Sequence, residues 1–195
     1  GNWWFNLDDS AIPAAGYDRN YLRIDNTAGV EGPNGNIAPS VAPDNSAAIT
    51  DSIYSIGGDM NESGKEYVNY LWASVPGYSK IGSYTGNANT NGPFIYTGFK
   101  PGFIMFKNAT STTNWEMYDT TRPYGLDNPA FRPLYANHNY VEETHGSYPA
   151  LDILSTGFKV RSNWEEFNKN GDTITYAAFA EKPSNTPFGT EPSAR

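Results

Sequence analysis

The chain has 195 residues and a formal net charge of −8, with 17% charged and 15% aromatic residues, 19 glycines, 14 prolines and no cysteine. The acidic balance, with no Lys/Arg cluster, excludes the electrostatic footprint of a nucleic-acid binder, and the lack of cysteine excludes disulfides and thiolate metal sites. No run of about eighteen apolar residues occurs, so no membrane-spanning helix is expected, and the wealth of aromatic, Gly and Pro residues points to an all-β chain with many turns.

In chain order, Trp3–Leu7 reads as a strand and Tyr21–Asp25, YLRID, as a short alternating one. The stretch 27–51 is polar and without period, Ser52–Ile56 is a weak strand, and Gly57-Gly58 opens a turn. Gly64–Pro76, GKEYVNYLWASVP, then carries β-branched and aromatic residues between a glycine turn and a proline, the pattern of one buried strand. Tyr78–Tyr84 alternates, residues 85–92 form an Asn/Gly turn, and Pro93–Phe99 and Gly102–Asn108 are apolar runs. Trp115–Tyr118 follows, then a tyrosine-rich loop over 120–150, and two short strands at Leu151–Leu154 and Phe158–Arg161. Trp164–Lys169 has room for one helical turn because Trp164 and Phe167 are three apart. Gly171–Pro183, GDTITYAAFAEKP, is the last strand, and a polar tail over 184–195 closes the sequence.

The first and last of these strand patterns match without a gap at an offset of about 107 residues, which makes the chain a duplicated unit. Asn61 falls on Asn168, Gly64 on Gly171, Tyr67 on Ile174, Trp72 on Phe179 and Pro76 on Pro183. A second block pairs Trp3–Ser10 with Asn114–Thr121 at an offset of about 111, a loop difference that surface connections tolerate. The first copy has no counterpart of 78–113 ahead of its Trp block, so the chain reads as about one and a half copies and as a fragment of a longer polypeptide. The expected organisation is therefore the C-terminal part of a first repeat over 1–77, a complete second repeat over 78–183 and a mobile tail over 184–195. The expected fold is an antiparallel β-sandwich, jelly-roll or concanavalin-like, with each anchor strand central in its sheet. Trp4, Trp72, Trp115, Phe103 and Phe106 are assigned to the core.

Three segments carry a family resemblance: VPGYSKIGSYTGNANTNGPFIYTGFKPGFIMFK at Val75–Lys107, the block from Trp115 to Asp119, and the segment from Asn168 to Pro183. They resemble a repeat family of tail or appendage structural proteins from marine bacteriophages of the cyanophage type. The resemblance implies a virion component at the particle surface, such as a tail fibre, appendage or capsid decoration protein. It supplies no catalytic residues. The partners it implies are other virion proteins and further copies of this chain.

The residue patterns add little chemistry. Asp59, Asn61 and Ser63, followed by Gly64, place oxygen ligands on alternate residues as a calcium loop does, but the bidentate glutamate position holds Tyr70. The same residues make a hairpin turn, the reading adopted, with calcium as the alternative and no other cofactor expected. His138 and His145 lack a third ligand at zinc spacing. No nucleophile motif occurs, and adjacent acids such as Glu142 and Glu143 point to opposite faces of a strand, so no enzymatic activity is expected. A polysaccharide depolymerase, which would need two facing acids, is the weakest alternative. The functional expectation rests on Tyr124, Arg132, Tyr140, His145 and Tyr148 in the 120–150 loop, with Tyr135 and Arg122 beside them. Aromatic faces next to planar donors suit a host-surface glycan or a partner protein, which makes a lectin-like module the alternative reading.

Overall fold

A computed structural model describes residues 4–5, 22–29, 62–68, 70, 72–122, 128–142 and 150–182. Within them, alternating and aromatic runs become ten strands: β1 (Trp4–Phe5), β2 (Leu22–Arg23), β3 (Ser79–Thr85), β4 (Phe94–Tyr96), β5 (Pro101–Asn108), β6 (Trp115–Asp119), β7 (Leu134–Tyr135), β8 (Leu151–Leu154), β9 (Gly157–Val160) and β10 (Thr173–Ala180). A single helical turn, α1 (Glu165–Asn168), falls where Trp164 and Phe167 are three apart. All named strand pairings are antiparallel.

Five strands form one sheet in the order β3-β10-β5-β6-β7, and three form a second in the order β4-β9-β8. The inner faces of the two sheets meet in a single aromatic-rich core. From the first sheet come Ile104, Phe106, Tyr118, Ile174, Tyr176 and Ala178, and from the second Ile95, Leu151, Ile153, Phe158 and Val160. Phe158 sits edge-on to both Phe106 and Tyr176, with ring centroids 5.3 Å apart in each case, and Phe167 of α1 closes one end of the layer. The chain is thus an all-β antiparallel sandwich, as its composition implies.

β10 is an interior strand, second in the sheet and bonded along its length to β3 on one side and β5 on the other, while β5 rather than the anchor strand holds the middle. The apolar run of β5 is therefore its neighbour in the same sheet, and only the run of β4 lies across from it. The outer face of the five-stranded sheet is covered at one end by the short β1–β2 ladder, where Leu22 packs with Ala109 and Trp115. There the indole Nε1 of Trp115 donates to the Arg23 carbonyl at 2.7 Å, and Thr113 N donates to Thr27 O at 2.9 Å. Lys107 is fully buried beside this contact, its Nζ donating to the carbonyls of Asn108 and Ser111 and to Thr113 Oγ1.

The expectation of a buried strand over Gly64–Pro76 is corrected. None of its described residues is a strand, and Val68 is 76% and Tyr70 65% exposed. A strand needs a ladder partner to satisfy its backbone, and among the described residues no strand pairing includes 66–68, 70 or 72. The same absence corrects Trp72, assigned to the core and found 54% exposed, with its ring edge-on to Phe179 at 6.4 Å. Phe103 is half-buried on the outer face against Phe179, whereas Trp115 and Phe106 are buried as expected. Trp4's side chain and the strand expected at Ser52–Ile56 lie outside the described residues.

Candidate functional site

The loop that follows β6 is held by ordinary turn chemistry. Asp119 ends the strand and turns its carboxylate onto the chain ahead, accepting from the backbone N–H groups of Thr121 and Arg122 at 2.9 Å each. Arg122 returns the contact: its Nε lies 2.5 Å from Asp119 Oδ2, its Nη1 3.2 Å from Glu142 Oε1, and its Nη2 donates to the Arg132 carbonyl at 2.8 Å. One guanidinium thus ties together both ends and the middle of the described excursion. Burial pushes the Asp119 carboxyl up, but the two backbone donors and the Arg122 guanidinium outweigh it and hold the group below the usual carboxylate range.

Further along, Asn128 behaves like a strand residue. Its Nδ2 donates to the Ile153 carbonyl at 2.7 Å and its Oδ1 accepts from Ile153 N, while Ala130 bridges Leu151 of β8. The excursion is stitched to both sheets, through β7 on β6 and through Ala130 on β8. Between them Tyr118, Asp119, Arg122, Ala130, Phe131, Arg132 and Glu142 line a shallow cleft. The guanidinium of Arg132 lies over the Phe131 ring, 5.7 Å from its centroid.

Of the residues singled out in the sequence, Arg132 is in this lining and Tyr140 is not. Tyr140 stands outside, 53% exposed, stacked on His138 at 4.4 Å and edge-on to Tyr135 at 5.9 Å. Tyr124, His145 and Tyr148 lie outside the described residues, as do Asp59 and Asn61. Ser63 is exposed in a turn where Lys65 N donates to Glu62 O and Gly64 takes φ +77°. Among the described residues no group of three or more His, Asp or Glu side chains could hold a metal ion.

The second copy of that turn shows what its asparagine does. Asn168 is fully buried, and its amide donates to Asn87 Oδ1, Asn89 O and Ser162 O while its Oδ1 accepts from Asn87 N. It thereby organises the Asn-rich turn between β3 and β4, where Asn87 and Asn89 each cap a backbone N–H two residues on. Asn168, the residue on which Asn61 falls in the alignment of the two segments, is therefore a structural keystone.

Sequence reading had missed two features. Asp119 and Glu142 as the partners of Arg122 were signalled only by an acid three residues before an arginine in a turn. Phe94 and Tyr96, in the apolar run Pro93–Phe99, are 48% and 67% exposed. Their alternation about the buried Ile95 was the signal.

The class of protein these features define is an antiparallel β-sandwich with an arginine-clamped aromatic excursion on one side. The chain belongs to the domain family DUF7483, a domain of unknown function, which matches it over residues 11–183. No curated protein and no solved structure matches the chain significantly.

Proposed function

We propose that the chain is a structural component of a phage virion, part of a tail fibre or appendage or of the capsid decoration, and that it contributes to host-surface attachment. The observation that carries this reading is how the polar side chains are used. Asn168, Asn108, Asp119, Arg122 and Asn128 all hold backbone, the use a structural scaffold makes of polar side chains. The resemblance in Val75–Lys107 supplies the particle. Other virion proteins and further copies of the chain are its partners in this reading, at the particle surface.

A non-enzymatic role is part of the proposal. The two carboxylates lining the cleft, Asp119 and Glu142, are both paired with Arg122. Asp119, held below the usual carboxylate range by the backbone N–H groups of Thr121 and Arg122 and by the Arg122 guanidinium, cannot keep the proton that a general acid must donate near neutral pH. The exposed Tyr140–His138 stack favours the second reading, a lectin-like module that meets host-surface glycans through the 120–150 loop. Immunogold electron microscopy of source particles tests the first reading, together with the mass of the purified oligomer. Label on tail, fibre or capsid surface is expected, and particles that never carry the chain would overturn the proposal.

A further inference from the structure

The outer face of the three-stranded sheet presents side chains that the core does not use. β4 alternates so that Ile95 enters the core while Phe94 and Tyr96 stand out from the sheet, with 48% and 67% of their surface exposed. Across the ladder Phe94 is opposite Lys159 and Tyr96 is opposite Gly157, and Lys159 is in turn opposite Asp152. Gly157 is obligatory, since a Cβ there would fall 2.0 Å from the Ile95 carbonyl oxygen. A position without a side chain therefore adjoins the more exposed ring. Along the other row, Asp152 Oδ2 pairs with Arg161 Nε at 3.5 Å, and Lys159 Nζ donates to the Gly92 carbonyl at 2.9 Å.

The size and chemistry of this face decide what it fits. Three strands spaced ~4.8 Å apart and four residues long at ~3.3 Å each give a footprint of roughly 10 by 13 Å. A stable protein partner needs on the order of 800 Å² on each side. An apolar protein surface laid here would also strip water from Asp152, Lys159 and Arg161 without replacing their hydrogen bonds, which costs free energy for each group. A pyranose offers what both rows lack: a C–H face for the aromatic rings and hydroxyls for the carboxylate, ammonium and guanidinium. The geometry points to a binding site for a neutral hexopyranose unit on this face, with Tyr96 and Phe94 as the stacking surface and Asp152 and Arg161 orienting its hydroxyls; Gly157, buried and filled in by the Ile95 carbonyl, only brings the strands close enough to set the rings beside them. The site is separate from the 120–150 loop and does not depend on a place in a particle.

The test uses the whole 195-residue chain, isotope-labelled and titrated with glucose, galactose, mannose and N-acetylglucosamine at millimolar concentrations. At least one sugar is expected to give saturable shifts at the amides of Phe94, Tyr96, Gly157 and Lys159. Tyr96→Ala should weaken that binding about tenfold, the loss of one aromatic contact, and Asp152→Asn several-fold. Both positions are partly or largely exposed, so an unchanged amide spectrum elsewhere shows the fold intact, and Tyr140→Ala should bind as the parent does. No saturable shift at these amides with any of the four sugars, or binding that survives both Phe94→Ala and Tyr96→Ala, would overturn the assignment. So would a concentration-dependent rise in mass that Tyr96→Ala abolishes, which would make the face a self-association surface.

Discussion

Gly64–Pro76 and Gly171–Pro183 follow one sequence template and take different structures. Both open on the same turn: Lys65 N donates to Glu62 O and Asp172 N to Lys169 O, with Gly64 and Gly171 at φ +77° and +79°. Past the glycine they part. In the second segment β3 and β5 stand on either side, and residues 173–180 become an interior strand of the sheet, second in its order. In the first segment the described residues of 65–72 belong to no strand pairing and are exposed, and the end of the segment contacts β3. Ser79 Oγ donates to Ala73 O at 2.6 Å, and Ser74 Oγ accepts from Ile81 N at 3.0 Å, so residues 73–75 cap the outer edge of β3. The template specifies the turn locally, while the strand depends on its neighbours, as β-propensity generally does.

The largest expected effect comes from the position that Tyr67 and Ile174 share in the template. Ile174 is fully buried and Tyr67 is 38% exposed. Ile174→Ala should cost about 2–5 kcal/mol in chemical denaturation, and Tyr67→Ala should stay within about 0.5 kcal/mol. Equal losses would mean that the first copy is packed as a strand after all.

Asn168→Ala comes next, at about 1–3 kcal/mol, because it strands the buried acceptor of Ser162 and removes the bonds to Asn89 O and Asn87 N that hold the turn. Loss of dispersion in the amide resonances of 86–92 should accompany it.

The flanks of β10 also carry a pH signature. Burial lowers the Lys107 ammonium from 10.5 to about 8, so between those values the unfolded chain holds more protons and stability rises with pH. Burial raises the phenols of Tyr84, Tyr118 and Tyr176, so above about pH 10 the unfolded chain loses protons first and stability falls. Denaturation midpoints followed from pH 7 to 11 should thus rise by up to about 2 kcal/mol and then drop. Lys107→Met should remove the rise and keep the drop, and a monotonic fall in the parent would contradict the buried amine.

The smallest contrast lies in the turn itself. An alanine Cβ meets nothing within 4 Å at either glycine, so both substitutions carry only the cost of a left-handed residue, about 1–2 kcal/mol. Gly171→Ala should lower global stability by that amount and Gly64→Ala by almost nothing, because the first turn can relax without unfolding the sandwich.

The fold class was legible because alternation reports a half-buried strand directly: Leu151–Leu154, Phe158–Val160 and Trp115–Tyr118 all show it. The failures share one physical cause. Trp72 and Phe103 look like core residues by type, and burial of a large ring depends on which strand lies opposite, which no local pattern records. β7 was hidden for the same reason, since Leu134-Tyr135 pairs with β6 by tertiary contact and not by any run of its own. Within the loop, Arg132 could be picked out by chemistry, but the clamp through Arg122 joins residues twenty apart and emerges only when the chain is folded.

Amide hydrogen exchange on the intact chain tests the account most directly. Residues 174–179 should exchange at rates set by global unfolding, whereas 65–70 exchange close to the rate of an open chain despite sharing the template. Comparable protection in both segments would contradict the conclusion that 173–180 is a sheet strand and the described residues of 65–70 are not.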